Sequence, residues 1–212
     1  MTDPVDLVVW RHGRTAWNDA GRFQGHADTP LDDVGHAQSK AAARALSLLG
    51  PSLVVSSDLA RAASTAAYLG LPVTLDARLR EVDVGEWSGL SRAEIEDRFP
   101  ETYAGWLAGA DVRHEGGESV DDVATRALAA VSAHLAAVPP GGPLVVVSHG
   151  GTSRALVLAL LGLPVSARPL LGALGNARWA ALVRRNGGWR LVAYNTGVDP
   201  EPDDATPTEP VL

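Results

Sequence analysis

Short apolar runs alternate along this chain with longer stretches of helical periodicity. The runs at 7–10 (LVVW), 53–56 (LVVS) and 144–148 (LVVVS) predict buried strands, and a shorter one is expected at 73–75. Helices are expected over 33–49 with Asp32 as N-cap, over 59–69 with Asp58 in that role, over 120 to about 137 behind Ser119, and over 152–161 directly after HGG. SRAE at 91–94 has capping-box spacing, with Ser91 as the cap and Glu94 three residues on. Near the end, NARWAALVRR and GWRLVAYN flank Asn186, Gly187 and Gly188 and read as a hairpin. Strands alternating with helices imply an α/β fold: a three-layer α/β/α sandwich around a mostly parallel sheet. A single domain is expected over 1–198. The acidic, proline-rich stretch 199–212 is expected to be a disordered tail.

Composition narrows the function classes. At 46% hydrophobic and 20% charged residues the chain is ordinary globular material. It has no apolar stretch near the roughly 20 residues of a membrane helix. The acidic N-terminus has too short an apolar run for a secretory signal, so a cytoplasmic protein is expected. The absence of cysteine rules out disulfides and thiolate metal sites. Five of the seven net negative charges fall in the tail, which leaves a nearly balanced body without the basic stripe of a nucleic-acid binder. The expected partner is a small phosphorylated metabolite, with no nucleic acid, membrane, cofactor or metal; a homodimer is the candidate assembly.

Three predicted strands end in chemically pointed turns: WRHGRTAWN, SSDLARA and SHGGTSR. In a parallel sheet these turns emerge on one edge, where ligands of such sheets collect. Arg11, His12, Arg61 and His149 can then converge, with Arg61 in a first helical turn that itself favours anions. Gly13, Gly150 and Gly151 allow close backbone approach. Two arginines with two histidines suit a tetrahedral dianion, phosphate above all. A neutral histidine beside that phosphate is a nucleophile, and neighbouring arginines lower its pKa. An alcohol leaving group needs a proton donor. LREVDVGEW offers Glu81, Asp83 and Glu86, among which the residues alone do not choose. His26, His36, His114 and His134 lack such company and read as surface or packing residues. Trp106, Trp179 and Trp189 read as core or lid packing.

The chain resembles the histidine phosphatase superfamily, in its phosphoglycerate mutase-like branch. RHGRTAWN, FQGHADTPLDDVGHAQ, SSDLARAASTA, LREVDVGEWSG, GGES and SHGG carry the resemblance in family order across 7 to about 195. The likeness is strongest to the actinobacterial glucosyl-3-phosphoglycerate phosphatases, in RLREVDVGEW and LLGLPVSARPLLGALGNARWAAL. The resemblance implies His12 as the phosphorylated nucleophile, with Arg11, Arg61 and His149 completing a phosphate pocket. It implies Glu81 as general acid and base, Glu86 as a loop-shaping residue, and Asn18, Gln24, Gly25 and Gly150 as phosphate or substrate contacts. The expected activity is therefore metal-independent phosphomonoester hydrolysis, with glucosyl-3-phosphoglycerate as the candidate substrate. RHGRT in place of the mutases' RHGES, and the short passage from GEWSGLS to GGES, weigh against the two rivals' first member, a phosphoryl isomerase. The other rival, a non-catalytic phospholigand-binding protein, is disfavoured by the presence of His12 and Glu81. Substrate choice is expected to lie in a lid over 96–118.

Overall fold

The structure, a computed structural model, describes residues 5–200; the expected tail lies outside the described residues from 201 onward. Strand β1 (Leu7–Arg11) runs into a one-turn helix α1 (Ala16–Asp19), followed by α2 (Asp33–Ser47), β2 (Leu53–Ser56), α3 (Ala60–Ala67) and β3 (Val73–Leu75). Two short helices, α4 (Arg92–Arg98) and α5 (Pro100–Leu107), precede α6 (Val120–Leu135), β4 (Leu144–Ser148) and α7 (Gly150–Leu160). The hairpin β5 (Trp179–Arg185) and β6 (Gly188–Thr196) ends the described chain.

The six strands form one sheet in the order β3-β2-β4-β1-β5-β6. The first four are parallel, and β5 and β6 add an antiparallel edge. Alternate residues of the apolar runs enter opposite cores. Leu7, Val9, Leu144 and Val146 pack with Ala127, Val131, Leu156 and Val157 of α6 and α7. Val8, Trp10, Val145 and Val147 pack with Ala42, Leu46, Ala62 and Ala66 of α2 and α3. This is the expected three-layer sandwich. Among the described residues no helix is long and apolar enough to cross a membrane.

Several element boundaries differ from the sequence reading, each for a local reason. Asp58 does not cap α3: its carboxylate is gripped at both oxygens by Arg80 (2.8 and 2.5 Å), and the first helical N–H, of Ala60, donates instead to Asp28 (2.6 Å). Helix α7 starts two residues early, at Gly150, because Glu81 receives its leading N–H groups from outside the helix. In the hairpin, Asn186 and Gly187 alone form the turn, both with positive φ (50° and 80°), and Gly188 belongs to β6. Helices α2 and α6 each close about two residues short of the expected ends.

A third cluster lies above the sheet's carboxyl edge. Trp87 sits at its centre, edge-on to Phe23, Tyr103, Trp106 and His114. The expected lid segment thus folds as α4, α5 and the loop leading to α6, packed on aromatic rings.

The turn after β1 is clamped on α2 by backbone contact. An added Cβ on Gly13 would lie 2.3 Å from the Gly35 oxygen, and one on Gly35 would lie 2.0 Å from the Arg14 oxygen. Helix propensity alone makes Gly35→Ala stabilising by about 1 kcal/mol. The contact reverses that sign. Urea unfolding should show Gly35→Ala to be less stable than the parent by about 1–3 kcal/mol, the range for overpacking. A gain in stability would mean that this junction is loose.

Candidate active site

The site grows from strand register. Arg11 pairs with Ser148 across β1 and β4, and the His12 N–H donates to the Ser148 carbonyl (3.0 Å). On the other side of β4, the Ser57 N–H donates to Val147 (2.9 Å), which brings the end of β2 to the same level. Three turns far apart in sequence therefore meet on one edge.

His12 is almost wholly buried, at 2% exposure. Its Nδ1 is 2.6 Å from the Gly13 carbonyl, which only accepts, so Nδ1 carries the proton and Nε2 keeps a free lone pair. Burial, then Arg11, then Arg61 hold the imidazole well below its usual pKa of 6.5. Arg11 donates from Nη1 to the Leu174 carbonyl (2.5 Å), while its Nε is buried with no partner. Gly150 lies beside it: a Cβ there would touch Nε and Cζ of that guanidinium at 3.4 Å, ordinary van der Waals contact.

Arg61 is fully buried. It donates to the carbonyls of Ala27 (2.6 Å) and Gly25 (2.9 Å) and from Nε to His149 Nδ1 (3.1 Å). Because His149 accepts at Nδ1, its proton is on Nε2, which donates to Ser57 Oγ (2.8 Å). His149 meets His12 edge-on at 5.1 Å and lies behind the cavity wall, also held neutral by burial first and by Arg61 next. Burial pulls Arg61 down to about 10, against the opposing pull of Glu81 and Asp28. Gly25 likewise lies off the wall. Its role here is structural: its carbonyl fixes Arg61, and its φ of +50° leaves no room for a side chain against Val84.

The three carboxylates left open by the sequence separate cleanly. Glu81 lines the cavity, Asp83 caps the Gly85 N–H (3.0 Å), and Glu86 is exposed. Glu81 receives the N–H groups of Gly151 (3.1 Å) and Thr152 (2.9 Å) at the start of α7. A Cβ on Gly151 would lie 2.8 Å from Glu81 Oε1, so glycine is required for this fit. Two residues that the sequence reading passed over hold the Glu81 backbone: Arg126 (2.8 Å) and His26 (2.9 Å) both donate to its carbonyl. His26 is therefore a supporting residue rather than a surface one.

Asn18 and Gln24 complete the wall. Asn18 Oδ1 takes hydrogen bonds from the Thr15 N–H (3.2 Å) and from Asn176 Nδ2 (3.1 Å), and Gln24 Oε1 takes them from the hydroxyls of Thr15 (3.1 Å) and Thr29. The donor ends of both amides are left for a ligand. Asn176, which also bonds the carbonyls of His12 and Gly13 (both 3.2 Å), had no signal in the sequence beyond its place before a hairpin. The cavity encloses about 910 Å³, and Arg154, Arg168 and His114 line it as well. His114 is thus a wall residue, not simple packing. Among the described residues no three His, Asp or Glu side chains gather as a metal would need. The positive charge here is supplied by guanidinium groups. An uncharged imidazole nitrogen, two buried arginines and a helix start together suit attack on a phosphorus atom.

The sequence model of the histidine phosphatase superfamily (branch 1) matches residues 7–197. The chain is 41% identical over 210 residues to the glucosyl-3-phosphoglycerate phosphatase of Mycolicibacterium vanbaalenii, covering 89% of this chain and 93% of that one. It is 44% identical over 187 residues to the enzyme of the same name from Mycobacterium tuberculosis, covering 83% and 84% respectively. The solved structure of mycobacterial glucosyl-3-phosphoglycerate phosphatase with VO3 superposes with a TM-score of 0.86 at 43% identity, over 91% of this chain and all (100%) of that one.

Two imidazoles kept neutral in the folded state leave a signature in stability. The unfolded chain protonates them near 6.5, while the folded values lie well below. Their stabilisation is complete above pH 6.5 and is lost as the pH falls toward the folded values. Urea unfolding between pH 7.5 and 5.5 should show stability falling with a slope approaching about 2.7 kcal/mol per pH unit for the two groups. His12→Asn should shed about half of that slope. A flat profile would mean that these histidines titrate normally in the folded protein.

Proposed function

The chain belongs to branch 1 of the histidine phosphatase superfamily and is a phosphatase, and from that premise we propose that it hydrolyses glucosyl-3-phosphoglycerate through a phosphohistidine on His12. The observation that carries this reading is the pairing of a buried His12 with a free Nε2 lone pair and a buried Arg11 Nε that has no partner, both on the cavity wall. A phosphoryl group answers both: an oxygen accepts from Arg11 Nε, and the phosphorus is the electrophile for the His12 Nε2 lone pair. The substrate follows the names of the relatives and the size of the cavity, which exceeds what a phosphate fills.

His12 Nε2 attacks phosphorus as the P–O bond to the alcohol breaks. Arg11 and Arg61 carry the equatorial oxygens, with the amides of Asn18 and Gln24 beside them. Glu81, in its acid form for this step, hands its proton to the departing alkoxide. The carboxylate then takes a proton from water, the hydroxide displaces His12 from phosphorus, and inorganic phosphate leaves with the imidazole neutral again. The N–H groups of Gly151 and Thr152 fix the Glu81 carboxylate at the cavity wall, which supports this role.

Incubation with substrate and alkaline quenching should trap acid-labile phosphate on His12, and His12→Ala should lose both label and turnover. Label on His149 instead would reverse the assignment of the two rings. Turnover should survive exhaustive chelation; activity that disappears with EDTA and returns with a divalent ion would point to metal-assisted hydrolysis.

Glu81 is tested by the leaving group. General acid catalysis is typically worth about 10²–10⁴-fold, and a nitrophenolate needs little of it. In single turnover, Glu81→Gln should slow phosphoenzyme formation from an alkyl phosphate by about that factor, and far less from p-nitrophenyl phosphate. If Asp83→Asn shows this dependence and Glu81→Gln does not, the proton donor is Asp83.

A further inference from the structure

The cavity continues past the phosphate floor to a second cationic wall. Arg154 comes from α7, and Arg168 from the turn Val165–Leu170. The Nε of Arg154 is fully buried and meets no hydrogen-bond partner, and neither arginine pairs with a carboxylate among the described residues. Arg168 is 5% exposed, is held by the Trp106 carbonyl, and lies over the Trp106 ring at 5.4 Å. Burial lowers both guanidinium groups, and the charge of Arg154 lowers Arg168 further, against the pull of Glu81 on Arg154 and of Asp111 on Arg168. Two partly desolvated like charges without an ion-pair partner are unfavourable side by side, and an anion between them would offset that cost.

A third wall group adds to this. His114 donates from Nδ1 to the Glu118 carbonyl (3.0 Å), so its buried Nε2 bears only a lone pair, and no partner reaches it. Its ring stands edge-on to Trp87 at 4.6 Å, and burial keeps it neutral. It accepts a hydrogen bond and offers none at that nitrogen, which suits a hydroxyl group.

We propose that Arg154 and Arg168 form a carboxylate clamp that selects phosphoesters of hydroxy acids, with His114 accepting a hydroxyl of the same ligand. Arg11, His12 and Arg61 line the same cavity as Arg154 and Arg168, so one molecule can bridge both sites. The planar guanidinium fork matches a carboxylate at both oxygens. This inference rests on the phosphatase reading above and assigns the residues that would set its substrate class.

The test compares kcat/KM for 3-phosphoglycerate and for glycerol 3-phosphate, which lacks the carboxylate, with p-nitrophenyl phosphate as a third substrate. The parent should prefer the acid. Arg154→Met should shrink the acid-to-alcohol ratio by about 10- to 100-fold, chiefly through KM, as expected for losing a charge-assisted hydrogen bond. Arg154→Lys should restore part of it, and Arg168→Met should act in the same direction. An unchanged ratio in both methionine variants, or an equal fall on all three substrates without rescue by lysine, would overturn the clamp. A parent enzyme that releases phosphate from none of the three substrates would instead bring down the proposed reaction, and the clamp with it.

Discussion

The parallel pairing of β1 with β4 is the constraint on which this structure turns. One hydrogen bond, from the His12 N–H to the Ser148 carbonyl, closes the ladder at the edge where the chemistry begins. A one-residue slip would exchange the two faces of β1 and carry Val9 and Trp10 into each other's cores. Both faces of β1 and β4 are buried, so a slip is costly on either side. The strand cores therefore fix the relative positions of Arg11, His12 and His149 before any polar contact is considered. The glycine contact between Gly13 and Gly35 and the hydrogen bond from Gly13 to Thr65 (3.1 Å) then hold the turn itself.

On this rigid floor the electrostatics are left out of balance. Arg11, Arg61, Arg154 and Arg168 face one cavity whose wall contains a single carboxylate, Glu81. That carboxylate is tied to the start of α7 rather than to any of the guanidinium groups by hydrogen bonds. Arginines bonded to main-chain carbonyls stay aimed but are not neutralised, as Arg61 illustrates through Ala27 and Gly25. These side chains therefore present uncompensated positive charge in a region of low dielectric, where a bound anion gains most. The body of the chain is close to neutral, so the excess positive charge is a local feature of the cavity wall.

The fold and the floor of the site were legible because both follow from short local patterns. The apolar runs announced β1, β2 and β4, and parallel topology then put RHG, Arg61 and SHGG on one edge. What escaped were residues whose roles depend on contacts distant in sequence. Asp58 looked like a helix cap and is instead held by Arg80, 22 positions away. Asn176, His26 and Arg126 orient the site through main-chain carbonyls, a use that leaves no mark in spacing or composition. Arg154 sat in plain view in SHGGTSR, yet only the helix geometry shows that it faces the cavity. The choice among Glu81, Asp83 and Glu86 could come from a family pattern or from coordinates, but not from the physics of one short segment.

The two halves of the cavity are built by different means. The floor comes from strand ends and helix starts, whose geometry is set by the sheet. The roof comes from α4, α5 and the 108–118 loop, which rest on the rings around Trp87 rather than on strand ladders. Aromatic packing is weakly directional compared with a hydrogen-bonded ladder, so roof residues can be exchanged without moving His12 or Arg61. Arg154 is the junction between the halves. It belongs to the helix that grips Glu81, yet its side chain reaches the Arg168 wall. On the proposed reading, a ligand held at both ends would be registered against the same helix that holds the Glu81 carboxylate. Orientation at the reacting phosphorus would then be set by rigid backbone and the choice of alcohol by the roof.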